Sequence, residues 1–240
     1  MKKQFMYHSN LIAMVIVCHL SLGIASIANA KQEHQLPTVA IKYIPPNVGT
    51  ATGRIGGGTR NLKINNPLLA LAPKHTGLTT NSQPRLYWYL TPGLKCNQQF
   101  HLRILNGATL LKVEIPCNNN GGIQSIDLKA YGIQLSPGKK YRWQIKLEPS
   151  PHHSIPTAAM TVGYVQLVKP SISFSQATMS AKPFIAASCG LWYDAIMTLS
   201  DLIKQEPSNT KYWRLQRARL LGQVGLIEVA IYEKQLADAQ

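Results

Sequence analysis

A chain of 240 residues with 25 Lys and Arg against 10 Asp and Glu carries a formal net charge of +15, and its length suffices for one larger or two smaller domains with a real core. The excess is uneven: residues 31–189 hold seventeen bases against four acids (Glu33, Glu114, Asp127, Glu148), while residues 190–240 balance six against six. Such a balance steers the chain towards anionic partners. The lack of any nucleic-acid recognition motif sets DNA and RNA aside, leaving an envelope protein, an anionic polymer or a lipid headgroup, or simply a well-solvated surface.

The N-terminus reads as a secretory signal, with Lys2 and Lys3 ahead of an apolar run over 11–27 and a small-x-small Ala28-Asn29-Ala30. Cleavage is expected after Ala30, which puts the mature protein outside the cytoplasm, in the periplasm or secreted, with no transmembrane segment left. A retained anchor is disfavoured by His19, Ser21 and Ser26, and lipidation of Cys18 by the bulky Val17 before it.

Residues 31–60 form a Pro- and Gly-punctuated lead-in, with a short edge strand over 38–43 as one reading. At its end stands Gly53-Arg54-Ile55-Gly56-Gly57-Gly58-Thr59-Arg60. Backbone N–H groups of Gly56, Gly57, Gly58 and Thr59, with Arg54 and Arg60 beside them, could cradle an anion. Neither a Gly-Lys-Ser/Thr nor a strand-to-helix context accompanies the run, so a flexible or tightly turned connector is the favoured reading.

Seven short segments rich in β-branched and aromatic residues follow, at 68–72, 85–90, 100–105, 108–115, 123–128, 141–147 and 158–168, each bounded by Pro, Gly or Asn. Regular short strands of this kind predict an antiparallel β-sandwich over 61–170. Pro84-Arg-Leu-Tyr-Trp88 resembles the second strand of a fibronectin type III domain, and Leu135-Ser-Pro-Gly-Lys-Lys-Tyr141 resembles its tyrosine corner. Asn106-Gly107 suits a type I′ hairpin turn. If the loop has two residues, paired positions sum to 213, so Phe100 faces Val113 and Leu102 faces Leu111. Cys96 then faces Cys117 at the closer cross-strand spacing, and a disulfide is expected there. Cys189 is left over and reads as a small buried core residue.

From Gly190 onward the periodicity turns helical. Trp192, Ala195, Ile196, Leu199 and Ile203 share one face of a helix over 191–205, and Pro207 punctuates its end. Thr210 can cap a second helix over 211–223, with Trp213, Leu220, Leu221 and Val224 inward and Arg214, Arg217 and Arg219 outward. A third helix runs from 226 towards 237. Gly190-Leu-Trp-Tyr-Asp-Ala-Ile196 and Gly225-Leu-Ile-Glu-Val-Ala-Ile231 share a frame thirty-five residues apart. The pattern over 171–240 resembles tetratricopeptide repeats, with Gln216 and Arg217 standing where that family has Leu and Gly. Fewer than two full repeats leave two readings open: a helical cap packed on the sandwich, or a partner-docking face on which Trp192, Tyr193 and Trp213 serve if they are exposed.

Taken in order, Gly56 to Arg60, Leu68 to Pro73, Gly77-Leu-Thr79, Gly122-Ile123, Pro137 to Trp143 and Gly190 to Ala195 make the chain similar to a cyanobacterial domain-of-unknown-function family, numbered 928. That resemblance implies the architecture, a sandwich followed by a repeat-like helical end, and no mechanism. Catalysis is not expected. The acids of the β-part are scattered, neither Gly-x-Ser-x-Gly nor His-Glu-x-x-His occurs, and the adjacent His152 and His153 point apart. No cofactor or metal is expected either. The function expected is that of a secreted, non-catalytic binding or adaptor protein of the cell envelope, with a purely structural envelope component as the alternative and a polysaccharide hydrolase a distant third.

Overall fold

The computed structural model describes residues 36–47, 56–57, 67–94, 97–116, 121–148 and 159–240. Residues 1–30, on which the expected signal and its cleavage after Ala30 fall, the loop residues Arg54, Gly58, Thr59 and Arg60, and both Cys96 and Cys117 lie outside the described residues. The fold is mixed α+β. Each of the seven expected strands is present, its ends within three residues of expectation: β2 (Leu68–Ala70), β4 (Arg85–Leu90), β5 (Asn97–Ile104), β6 (Thr109–Ile115), β7 (Gly122–Asp127), β8 (Lys140–Glu148) and β9 (Ala159–Leu167). Two short strands were not expected, β1 (Gly56–Gly57) and β3 (Gly77–Thr79).

The strands form two sheets. In the larger, antiparallel ladders run β9-β8-β5-β6, and β9 receives β1 antiparallel and β3 parallel on its outer edge. The smaller is antiparallel, in the order β2-β4-β7. Polar side chains tie the sheets together. Gln98 of β5, fully buried, accepts from the Trp88 indole of β4 at 2.8 Å and donates to Gln124 of β7 at 3.0 Å. Thr161 of β9 accepts from the Ala70 amide of β2. Buried amides and hydroxyls are costly unless paired, so these bonds fix how the sheets meet.

The β5–β6 hairpin reaches its expected register by a different route. Phe100 faces Val113 and Leu102 faces Leu111, but the ladder slips one residue between Leu102 and Arg103. The turn closes with Gly107 N–H donating to Ile104 O, and within it only Asn106 has positive φ, at 58°. It is therefore not a type I′ turn; a bulge and a different turn compensate. The tyrosine corner forms as expected: Ser136 N–H donates to the buried Tyr141 hydroxyl at 2.7 Å.

Five helices follow: α1 (Ile172–Ser175), α2 (Lys182–Ser188), α3 (Trp192–Gln205), α4 (Thr210–Gln223) and α5 (Ile227–Asp238). The repeated frame has a local structural cause. At both copies a glycine with φ 74° ends the preceding helix. Gly190 N–H donates to Ala187 O and Leu191 N–H to Ala186 O; Gly225 N–H donates to Gly222 O and Leu226 N–H to Leu221 O. This paired closure satisfies the last carbonyls of a helix and needs the left-handed conformation that glycine adopts without strain. Thr210 does not cap α4; its hydroxyl donates back to Ile203 O and Glu206 O. Cys189 is exposed and free rather than buried. It follows directly on the short α2, whose buried side is taken by Pro183, Ala186 and Ala187. Sheets and helices share one continuous apolar core, in which Trp88, Trp143, Trp192, Tyr193 and Trp213 are all almost fully buried.

Candidate functional site

The segment before the first strand is bound along the helical face. Tyr212, Gln216 and Gln223 fall on one stripe of α4, four and seven residues apart, which is helical spacing. Each holds the backbone of residues 37–43. The Tyr212 hydroxyl donates to Pro37 O. Gln216 accepts from Ile41 N–H at 3.0 Å and donates to Val39 O at 3.5 Å. Gln223 accepts from Tyr43 N–H at 2.8 Å and donates to Ile41 O at 3.0 Å. A primary amide carries one acceptor and two donors, so each glutamine offers an extended chain what a neighbouring strand would offer. The expected edge strand over 38–43 is thus extended backbone, with glutamine side chains in place of a partner strand.

Beyond Tyr43 the segment crosses onto α2, where Ile44 N–H donates to Ala187 O. It then passes over Gly190, where a Cβ would lie 2.9 Å from Pro46 and 3.1 Å from Ile44 O. Ile41 and Tyr43 are buried, whereas Val39, Lys42 and Ile44 are exposed. Tyr43 packs edge-on against Trp192 and stacks over His75, whose Nε2 lies 2.8 Å from the Tyr43 hydroxyl. Burial lowers the His75 pKa and raises that of Tyr43, which favours the neutral pair. A cleft of about 470 Å³ opens beside them, with Lys74, His75, Gln223 and Gly225 in its walls.

Trp192, Tyr193 and Trp213, candidates for a partner face if exposed, are in the core, as the helical-cap reading requires. Their polar atoms are spent internally. Trp192 Nε1 donates to Leu71 O, Trp213 Nε1 to Glu206, and the Tyr193 hydroxyl accepts from Trp143 Nε1 while donating to Tyr164 O. Asp194 is also buried and accepts from the Thr80 amide at 2.9 Å and the Thr80 hydroxyl at 2.7 Å. Consecutive residues of α3's first turn therefore bolt the helices to the β-part. Arg217, expected outward, is buried and donates to Glu233 and Ser200; Arg214 is half-turned in towards the same glutamate. Gly56 and Gly57 of the expected anion loop pair with β9. Among the described residues no group of His, Cys, Asp and Glu could hold a metal ion, and no helix is long and apolar enough to cross a membrane.

Sequence reasoning missed Gln216 and Gln223. Their signal was present as polar residues seven apart on a face otherwise occupied by Trp213 and Leu220. No curated protein matches the chain. Residues 55–234, well over half of the chain and all of it from β1 to the last turns of α5, match the family described as Domain of Unknown Function (DUF928), and the chain belongs to that family.

Proposed function

We propose that this is a secreted, non-catalytic binding or adaptor protein of the cell envelope whose helical face takes an extended peptide segment. The observation that carries the reading is the amide ladder from Gln216 and Gln223 to the backbone of residues 39, 41 and 43. Because it addresses main chain, it tolerates different sequences, and selection falls on alternate apolar side chains such as Ile41 and Tyr43. The protein's own residues 37–46 act as the resident occupant, and a partner's extended segment takes the same place. In this reading α2 to α5 are a tetratricopeptide-like pair of hairpins, supported by the matching glycine closures at Gly190 and Gly225, and the two sheets are a fibronectin-like sandwich, supported by Trp88 and the Tyr141 corner. The extracytoplasmic location rests on the N-terminal 30 residues, and the basic excess of residues 31–189 favours acidic partners.

The test is binding of a fluorescein-labelled peptide spanning residues 36–46 to the mature chain, read by anisotropy. Ile41→Asp, which loosens the resident segment, is expected to bind the peptide more tightly than wild type. Adding Gln216→Ala and Gln223→Ala to it is expected to remove that binding. If the folded Ile41→Asp chain takes up no peptide, the helical face is not a peptide site and the reading fails.

A further inference from the structure

On the other side of α4 the helices meet the smaller sheet over a cleft of about 270 Å³. Tyr87 of β4 and the backbone around Gly122 of β7 form its sheet side; Arg214 and Arg217 of α4 and Glu233 of α5 form the opposite side, with Lys204 of α3 exposed at the rim. Three cations meet one carboxylate, so the cleft holds an excess of two positive charges even though residues 190–240 balance overall.

The carboxylate is fully committed. Glu233, with no exposed surface, takes Arg217 on Oε2 at 2.8 Å and Arg214 Nη1 on Oε1 at 3.2 Å. The Ser200 hydroxyl is committed too, accepting from Arg217 Nη1 at 2.9 Å and donating to Ile196 O at 2.7 Å. Two buried groups are left over on facing elements: Arg214 Nε, and the Tyr87 hydroxyl, whose neighbour the Ser200 hydroxyl is already engaged by Arg217 and Ile196 O, so that neither makes a geometrically sound hydrogen bond among the described residues. Tyr87 is only 3% exposed, and it lines the cleft. Burial pushes its pKa up to about 12, against smaller opposing effects of Arg85 and Ser200, which keeps it a protonated donor. An unpaired buried donor is costly, and an oxyanion in the cleft would satisfy both Arg214 Nε and the Tyr87 hydroxyl.

We propose that this cleft binds the oxyanion of a small acidic molecule, a carboxylate, sulfate or phosphate held by Arg214, Arg217 and the Tyr87 hydroxyl. Its volume is near the lower end of small-molecule pockets, which fits one acidic sugar or a comparable metabolite and not a stretch of polymer. Gly121 and Gly122, at φ 58° and 78°, shape the mouth. A Cβ on Gly122 would fall 2.6 Å from the Tyr232 hydroxyl, so glycine there lets Tyr232 close against the sheet. The site is separate from the peptide face and stands whether or not that face binds peptide.

Isothermal titration of the mature chain would use glucuronate, glucose 6-phosphate and glucose 6-sulfate, with glucose as the neutral control and inorganic phosphate to separate a free ion from a sugar-borne acid. At least one oxyanion is expected to bind, more weakly as salt is raised, with glucose inert. Tyr87→Phe removes the unpaired hydroxyl and is expected to weaken binding about tenfold while leaving the ligand-free melting temperature unchanged or higher. Arg214→Lys keeps a cation beside Glu233, removes the Nε donor and is expected to weaken binding similarly. Tight binding of inorganic phosphate alone would support the site and assign it to the free ion. Failure of every oxyanion to bind, equal binding of glucose, or wild-type affinity in both folded variants would overturn the proposal.

Discussion

The Tyr193 hydroxyl sits 2.8 Å from the Trp143 indole nitrogen and 2.9 Å from Tyr164 O, joining the first turn of α3 to β8 and β9 through a single atom. Burial raises the Tyr193 pKa well above that of a free phenol, so the hydroxyl stays protonated and can serve both partners. Tyr193→Phe would leave the buried Trp143 indole N–H unpaired and take one donor from Tyr164 O, which lies in the β9 ladders. The expected cost is about 1–3 kcal/mol in urea unfolding, with little change in the m-value.

Close packing beneath that contact gives a second expectation. A Cβ on Gly163 would lie 2.4 Å from the ring of Trp143, which is fully buried and cannot move aside. Gly163→Ala should therefore destabilise by about 1–3 kcal/mol or more. Gly222, in the last turn of α4, is the control, because a methyl group there would meet nothing within 4 Å. Alanine at that position should stabilise by roughly 0.5 kcal/mol. Thermal unfolding of the two variants side by side separates lack of space from loss of backbone freedom.

Asp194 supplies the pH dependence. Its burial raises the carboxyl pKa, and the hydrogen bonds from Thr80 offset this only in part. A raised folded value means the charged form is disfavoured in the native state. The group's stabilising contribution is then complete below the ordinary Asp value near ~3.9 and is lost as pH rises through the raised folded value. Asp194→Asn does not titrate. Relative to it, wild type should gain stability on acidification across that window and lose it again towards neutrality. Urea midpoints of both proteins at about pH 7 and about pH 4 check the sign.

Backbone hydrogen exchange should resolve the two glutamines individually. Gln216→Ala is expected to speed exchange at the Ile41 amide about tenfold and Gln223→Ala to do so at the Tyr43 amide, with the β8–β9 ladder unaffected in both. Equal acceleration of both amides by either variant would mean that the segment opens as one unit.

Strands were legible because period and punctuation are local properties. The aromatic run from Leu86 to Leu90 marks β4, and Pro84 marks its start. The hairpin register was legible at Phe100 and Leu102, although the turn that sets it was not, because a bulge leaves no signature in composition. The placement of Trp192, Tyr193 and Trp213 was not legible, for a different reason. An aromatic side chain with a polar tip suits an interface or a core equally, and the deciding partners of the first two, Leu71, Tyr164 and Trp143, lie far away in sequence. Gln216 and Arg217 looked like decay of a repeat pattern. The first holds the backbone of Ile41 and the second pairs with Glu233, so both departures have a physical cause that only tertiary proximity reveals.

The parallel pairing of Gly77–Thr79 with the last strand bears on how the molecule comes to be made. Val165 is translated long after Gly77, and Tyr193 and Asp194, which lock α3 onto Tyr164 and Thr80, come later still. A ribosome-bound chain can form the β5–β6 hairpin early, but it cannot seal the edge of the large sheet until β9, which ends at Leu167 of the 240 residues, is available. Contacts so distant in sequence slow folding, and until they close the incomplete sheet keeps an open edge. Fragments ending before α3 should accordingly be poor candidates for soluble expression, and a folding helper acting during synthesis would have to remain until the last helices arrive.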